Sequence, residues 1–152
     1  MTSLKEQLHA DMITSLKARD ELRTGTLRMV LTAVQTEEVS GKAARELSDA
    51  DVQGVLTREA KKRREAAEAY DGAQRPELAA RERAEGEIID AYLPKQLDDT
   101  ELTQIVTAAL TEAGLAGAGP QGMGAAMKAA NAAVAGRAEG GRVAALVRGQ
   151  LG

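Results

Sequence analysis

Apolar residues recur at helical spacing along the whole chain, and no stretch alternates apolar with polar in the manner of a half-buried strand. A chain patterned this way has to pack helix on helix. What it packs with is equally restricted: there is no Phe and no Trp, only two Tyr, and aromatic residues make up 1% of the sequence. The core must therefore be aliphatic and Ala-rich, with helices approaching closely. Hydrophobic content of 43% and charged content of 28% match ordinary globular usage. A chain of 152 residues buries roughly 70% of its extended surface, enough for one medium domain or two small ones.

Local signals divide the pattern into seven segments. Ser3 followed by Glu6 has capping-box spacing, and Leu4, Leu8, Met12, Ile13 and Leu16 mark one apolar face behind it. A second helix is expected from Glu21 to Glu38 with Leu22, Leu27, Val30, Leu31 and Val34 inward, broken at Gly41. Ser48 caps a long third helix that buries Val52, Val55 and Leu56 and runs to Tyr70, ending at Gly72. Pro76 suits the first turn of a fourth, which carries Leu78, Ile88, Ile89 and Tyr92 and stops before Pro94. The Leu93-Pro94-Lys95-Gln96-Leu97 stretch is the best boundary. Asp98 with Glu101 opens a fifth helix closed by Gly114, Pro120 begins a sixth, and the Gly136 to Gly141 turn leads to a seventh. The expected architecture is all-α: a four-helix part over residues 1–94, a short Pro-containing linker, and a three-helix domain over 95–152.

The missing residue types exclude several chemistries. With no Cys and one His, neither a thiolate zinc site nor a two-His metal site can be assembled, and no metal or cofactor is expected. An aromatic platform for stacking bases is absent as well. No window is long and apolar enough to span a membrane, and the N-terminus has early acids and no apolar signal core. A soluble, cytoplasmic protein is expected.

Gly117, Gly119 and Gly122 spell a dinucleotide-binding motif, with Glu139 near the distance of a ribose-binding acid. A helix rather than a strand precedes them, so these glycines are read as a tight turn with close packing. Arg58, Lys61, Lys62, Arg63 and Arg64 form a basic run, but Glu59, Glu65 and Glu68 stand four residues from Arg63, Lys61 and Arg64. That spacing predicts a solvated, salt-bridged surface. Glu77, Glu82, Glu85, Glu87 and Asp90 offer carboxylates without a sign of the pocket that paired catalysis requires, and Arg75, Arg81 and Arg83 stand near enough to neutralise several of them. No catalytic residue is assigned. His9 is read as a surface histidine.

Net charge is −3, yet residues 115–152 hold Lys128, Arg137, Arg142 and Arg148 against Glu139 alone. Glycine turns and helix N-termini expose N–H groups that suit phosphate. Folded RNA can be bound through its backbone by such donors without aromatics.

Residues 58–102 resemble the GatB/YqeY family, through the basic run, Tyr70, Arg75-Pro-Glu-Leu78, Glu82, Glu87-Ile-Ile89, Tyr92-Leu93-Pro94 and Gln96-Leu97. Residues 27–39 resemble its second helix. Met123-Gly124 with Met127, and Gly136-Arg137-Ala138, resemble its tail. The family's usual Lys after Met-Gly is Ala125 here, and the usual Asp of the glycine turn is Glu139. The resemblance implies an all-helical, two-part fold whose C-terminal part is similar to the tail domain of the B subunit of glutamyl/aspartyl-tRNA amidotransferase. That family is linked to carbon–nitrogen ligase activity with glutamine as amide donor, but the resemblance implies no catalysis in this chain. It implies a role beside tRNA, with Met123, Gly124, Lys128, Arg137, Arg142 and Arg148 as candidate tRNA contacts and amidotransferase or aminoacyl-tRNA synthetase components as partners. The alternative reading is an adaptor that docks proteins through its N-terminal helices.

Overall fold

Helix starts follow cap chemistry. In the computed structural model, which describes residues 2–152, Ser3 accepts from the Glu6 N–H at 3.1 Å and opens α1 (Leu4–Lys17). Asp20 accepts from Arg23 N–H at 3.1 Å ahead of α2 (Glu21–Glu38). Ser48 and Asp51 form a complete capping box at α3 (Asp49–Gly72). Pro76 is the first residue of α4 (Pro76–Asp90). Asp98 accepts from Glu101 N–H at 2.7 Å and starts α5 (Asp99–Glu112). Each cap satisfies a donor that the helix itself leaves unpaired. A single 3₁₀ turn, Pro120–Gly122, precedes α6 (Met123–Val134), and α7 (Gly140–Leu151) closes the chain. Among the described residues there are seven α-helices and no strand: the fold is all-α. No helix among them is long and apolar enough to cross a membrane. The chain divides into two compact units, Met1–Leu93 and Pro94–Gly152.

The core of the N-terminal unit joins Leu8 of α1, Leu27, Val30 and Val34 of α2, Val52, Val55, Leu56 and Ala60 of α3, and Ile89 of α4. The C-terminal unit packs Leu97, Leu102, Val106 and Leu110 against Ala126, Ala130 and Val134 of α6 and Val143, Val147 and Leu151 of α7. Alanines at the α6 seam let these short helices approach without an aromatic filler.

Three positions depart from the expected apolar faces. Leu16 is 51% exposed, and Ile13 and Leu22 also face solvent, while Ser15, Thr24 and Thr26 are buried in their stead. Ser15 donates to Met12 O at 2.8 Å and shares a 2.8 Å hydrogen bond with Thr24, and Thr26 donates to Leu22 O at 2.8 Å. Hydroxyls satisfied by carbonyls of their own helix bury at little cost. Tyr92 lies past the end of α4, in a turn where its N–H donates to Ile89 O, rather than on the helix as the periodicity suggests.

Gly25 sits inside α2 with open space where a Cβ would be. Glycine in a helix interior costs about 0.5–1 kcal/mol relative to alanine. Gly25→Ala is therefore expected to raise the unfolding midpoint in urea at unchanged slope. A lowered midpoint would show that the position is tighter than the backbone indicates.

Candidate nucleic-acid interface and the signature residues

The four tail cations fall into two pairs. Arg137 turns back on α6: its Nε donates to Val134 O at 2.9 Å and its Nη2 to Ala133 O at 3.0 Å, satisfying carbonyls that the helix end leaves open. Ala135, in the left-handed conformation at φ 52°, terminates the same helix. Arg142 donates to Leu97 O at 3.2 Å and to Asp99 Oδ1 at 2.8 Å. Both arginines thus hold the unit's own backbone. Lys128 and Arg148 are exposed and have no hydrogen-bond or ion-pair partner among the described residues.

Arg148 lines an open cavity of about 310 Å³ with Pro120, Met123, Leu151 and Gly152. Met123 is the first residue of α6, half-buried against the core, and Gly124 beside it is exposed. Lys128 stands one turn after Gly124 on the same outward strip, since residues four apart share a helix face. No side chain caps α6, and its first turn contains no acid. The 3₁₀ turn runs straight into α6, with the Met123 N–H donating to Pro120 O, so what this region presents is Arg148 beside Met123 and Lys128 midway along α6.

The glycine run serves packing. Gly117 and Gly119 take positive φ of 72° and 83°, and their N–H groups donate to Gln150 O and Leu151 O at 3.0 Å. Those donors tie the turn to the end of α7. A Cβ on Gly122 would lie 3.1 Å from Ala118 Cβ and 3.7 Å from Leu151 Cδ2.

Two separated signature segments meet in the C-terminal unit. Leu97 N–H donates to Arg137 O at 2.8 Å, and Gln96 Nε2 reaches Gly136 O at 3.5 Å. The Gln96-Leu97 and Gly136-Arg137 motifs are thus two sides of one contact, which spacing along the chain does not disclose.

In the N-terminal unit Tyr92 is the centre of a polar cluster. Its hydroxyl donates to Asp11 Oδ2 at 2.5 Å and accepts from Arg23 Nη2 at 3.1 Å, linking the turn after α4 to α1 and α2. Burial, with the Asp11 carboxylate as acceptor and nearby charge, pushes the phenol up to about 12 against the opposing pull of Arg23. A raised folded value means that the contribution is present below the ordinary phenol range near 10 and is lost as pH rises towards about 12. Tyr92 is expected to titrate near pH 12 by ultraviolet absorbance, with Asp11→Asn bringing it down. A midpoint near 10 in the native chain would refute the linkage.

The other signature residues are placed more simply. Tyr70 is half-buried, and its carbonyl accepts from Arg75 N–H at 2.8 Å. Arg75 is the residue before α4, and its Nε donates to Glu77 Oε1 at 2.8 Å, a contact that holds the Glu77 carboxyl below its usual range. Leu93 packs on the edge of the N-terminal core, and Pro94 begins the second unit. Glu82 is half-buried in a cleft of about 280 Å³ with Arg63, Arg64, Arg83, Gly86, Glu87 and Asp90.

The basic run corrects one expectation. Glu59 pairs with Arg63, and Lys61 with Glu65 at 3.9 Å, as spacing predicts. Arg63 itself, however, is 8% exposed and lies between Glu59 and Glu85, with Nε 3.6 Å from Glu85 Oε2. It belongs to a buried ion cluster on α3 and α4 rather than to a solvated face. Arg81 reaches Glu85 at 3.6 Å from outside, and Arg83 pairs with Asp71. His9 is exposed on α1. Among the described residues no group of three or more acids, histidines or cysteines is arranged to hold a metal.

A search of the curated proteins finds no match. A family model described as YqeY-like protein matches residues 5–151, nearly the full length and both units. The segments that carry the resemblance are thus part of one continuous match, and the chain belongs to the YqeY-like protein family.

Proposed function

We propose that the chain is a non-catalytic, tRNA-binding accessory module that acts beside tRNA amidation, and that it meets RNA through the C-terminal unit. One observation carries the reading: Lys128 and Arg148 are exposed without an internal anion among the described residues. Such a surface offers cations to phosphate with no base readout, which suits a folded RNA recognised by shape. Arg137 and Arg142 support the surface by holding the α6 end and the Leu97–Asp99 segment, and contact RNA less directly.

The test is a titration of the full chain with bulk tRNA at two salt concentrations, beside the double variant Lys128→Glu, Arg148→Glu. Each charge-assisted contact contributes about 1.5–3 kcal/mol, so the double variant should bind at least about a hundredfold more weakly. Native affinity should fall as salt rises, through counterion release. Equal binding by the native and reversed chains overturns the assignment.

A further inference from the structure

The connection between the two compact units is held residue by residue. Leu93 closes the N-terminal unit and Pro94 opens the C-terminal one. On the near side the backbone is fastened to its own unit. Tyr92 and Leu93 donate their N–H groups to Ile89 O and Asp90 O at 3.0 Å, in the turn that follows α4. The Tyr92 hydroxyl is tied to Asp11 of α1 at 2.5 Å and to Arg23 of α2 at 3.1 Å. Tyr92 and Leu93 also pack on the apolar core of that unit. Two further helices therefore grip the chain just before it leaves.

The far side is fastened as firmly. Leu97 is buried in the C-terminal core, its N–H donates to Arg137 O at 2.8 Å, and its carbonyl accepts from Arg142 Nη1 at 3.2 Å. Asp98 then caps α5. Gln96 adds a looser tie, with Nε2 reaching Pro94 O at 3.4 Å and Gly136 O at 3.5 Å. Proline removes further freedom, since its ring fixes φ at about −65° and keeps the residue before it out of the α region. Lys95 is what remains. It is exposed, lies in no helix or turn, and makes no hydrogen bond or ion pair among the described residues.

We propose that Lys95 is a one-residue swivel between the units, with Tyr92 as its pin in the N-terminal unit and Gln96-Leu97 as its pin in the C-terminal one. The soft torsions are Pro94 ψ and the φ and ψ of Lys95. From Leu93 to Gln96 the chain spans at most about 11 Å, so the connection turns without lengthening. That separates it from a flexible linker, whose ends drift apart with the square root of its length. Hinges confine a change of φ and ψ to a few residues at the ends of elements, and the two pins single out the residue that absorbs it here. The polar cluster around Tyr92 thereby does more than stabilise its unit: side chains from α1 and α2 hold the base of the swivel. The device does not depend on what the C-terminal unit binds.

Nitrogen-15 relaxation of the backbone amides in the full chain is the test. Lys95 should show an order parameter below about 0.6, while Tyr92, Leu93 and Leu97 keep the value of about 0.85 that marks rigid backbone. Tyr92→Ala should extend the low values back through Leu93, and Gln96→Ala should extend them forward to Gln96. In both variants the amides of α2, α3 and α5 should keep their native values, which separates an opened pin from an unfolded unit. Tyr92→Phe retains the ring packing and loses only the two hydrogen bonds, so it loosens Leu93 less and replaces Tyr92→Ala if that change disturbs the whole unit. A rigid Lys95 in the native chain overturns the proposal, as does low order running from Tyr92 to Leu97. So does a native pattern in the Tyr92 variants or in Gln96→Ala, since the pins would then not be those named.

Discussion

Replacing Arg63 with methionine is expected to destabilise the N-terminal unit by about 3–5 kcal/mol, the usual cost of removing one partner from a buried ion cluster. Arg63 is the shared cation of Glu59 on its own helix and Glu85 on α4, and the side chains of all three are nearly inaccessible to water. Without it, two carboxylates remain in a setting that cannot hydrate them. Lys62 and Arg81 still approach the same acids from the surface at 3.3 and 3.6 Å, which argues for the lower end of the range. Packing is not the main loss. Gly86 of α4 lies against the Arg63 stem, with a notional Cβ 3.6 Å from Arg63 Cβ, and methionine keeps most of that stem. The electrostatic origin makes a second outcome testable. Arg63→Met combined with Glu59→Gln and Glu85→Gln should recover much of the loss, because no charge is then stranded. Urea unfolding of the full chain followed by tyrosine signal measures both, since Tyr70 and Tyr92 lie in this unit. An unchanged midpoint for Arg63→Met would mean that the cluster contributes nothing to stability.

Arg63 also shows where reading from the sequence stops. Its pairing with Glu59 is an i, i+4 contact and visible in the spacing. Its burial depends on Glu85 and Gly86, more than twenty residues away on another helix, and no local rule links them. Helix starts were legible for the opposite reason. The caps at Ser3, Ser48 and Asp98 act within three residues, so the chemistry and its signal occupy the same short stretch. Faces were harder. On α2 the period places both Leu22 and Leu27 among apolar residues, and only tertiary contact decides that Thr24 and Thr26 enter while Leu22 stays out. The candidate RNA contacts carry the same lesson in charge. Counting cations in the tail treats Arg137 and Lys128 alike, whereas carbonyls three and four residues behind Arg137 engage its guanidinium and nothing comparable engages Lys128.

The C-terminal unit should respond most sharply to the loss of one leucine. Leu110→Ala removes a fully buried side chain from a core whose members are otherwise mostly Val and Ala. Large-to-small changes of this kind cost about 2–5 kcal/mol, from lost transfer energy and the cavity left behind. A unit of fewer than sixty residues has a total stability of roughly 3–9 kcal/mol at the usual stability per residue, so the single change takes a large share of it. Helix propensity does not contribute to this loss, because alanine is the better helix former of the two. The expected result is faster amide exchange throughout α5, α6 and α7, and a helical circular-dichroism signal that falls at lower temperature. Ala126 and Ala130 are fully buried on the facing stretch of α6 and have no longer side chain with which to fill the gap. A core with phenylalanine or tryptophan could distribute such a loss over large neighbours; here the neighbours are aliphatic, with Met123 and Met127 at the edge of the core. Native-like exchange protection in Leu110→Ala would show that the short helices collapse onto the cavity. The smallness of the residues that lets α6 pack closely would then also make its packing forgiving.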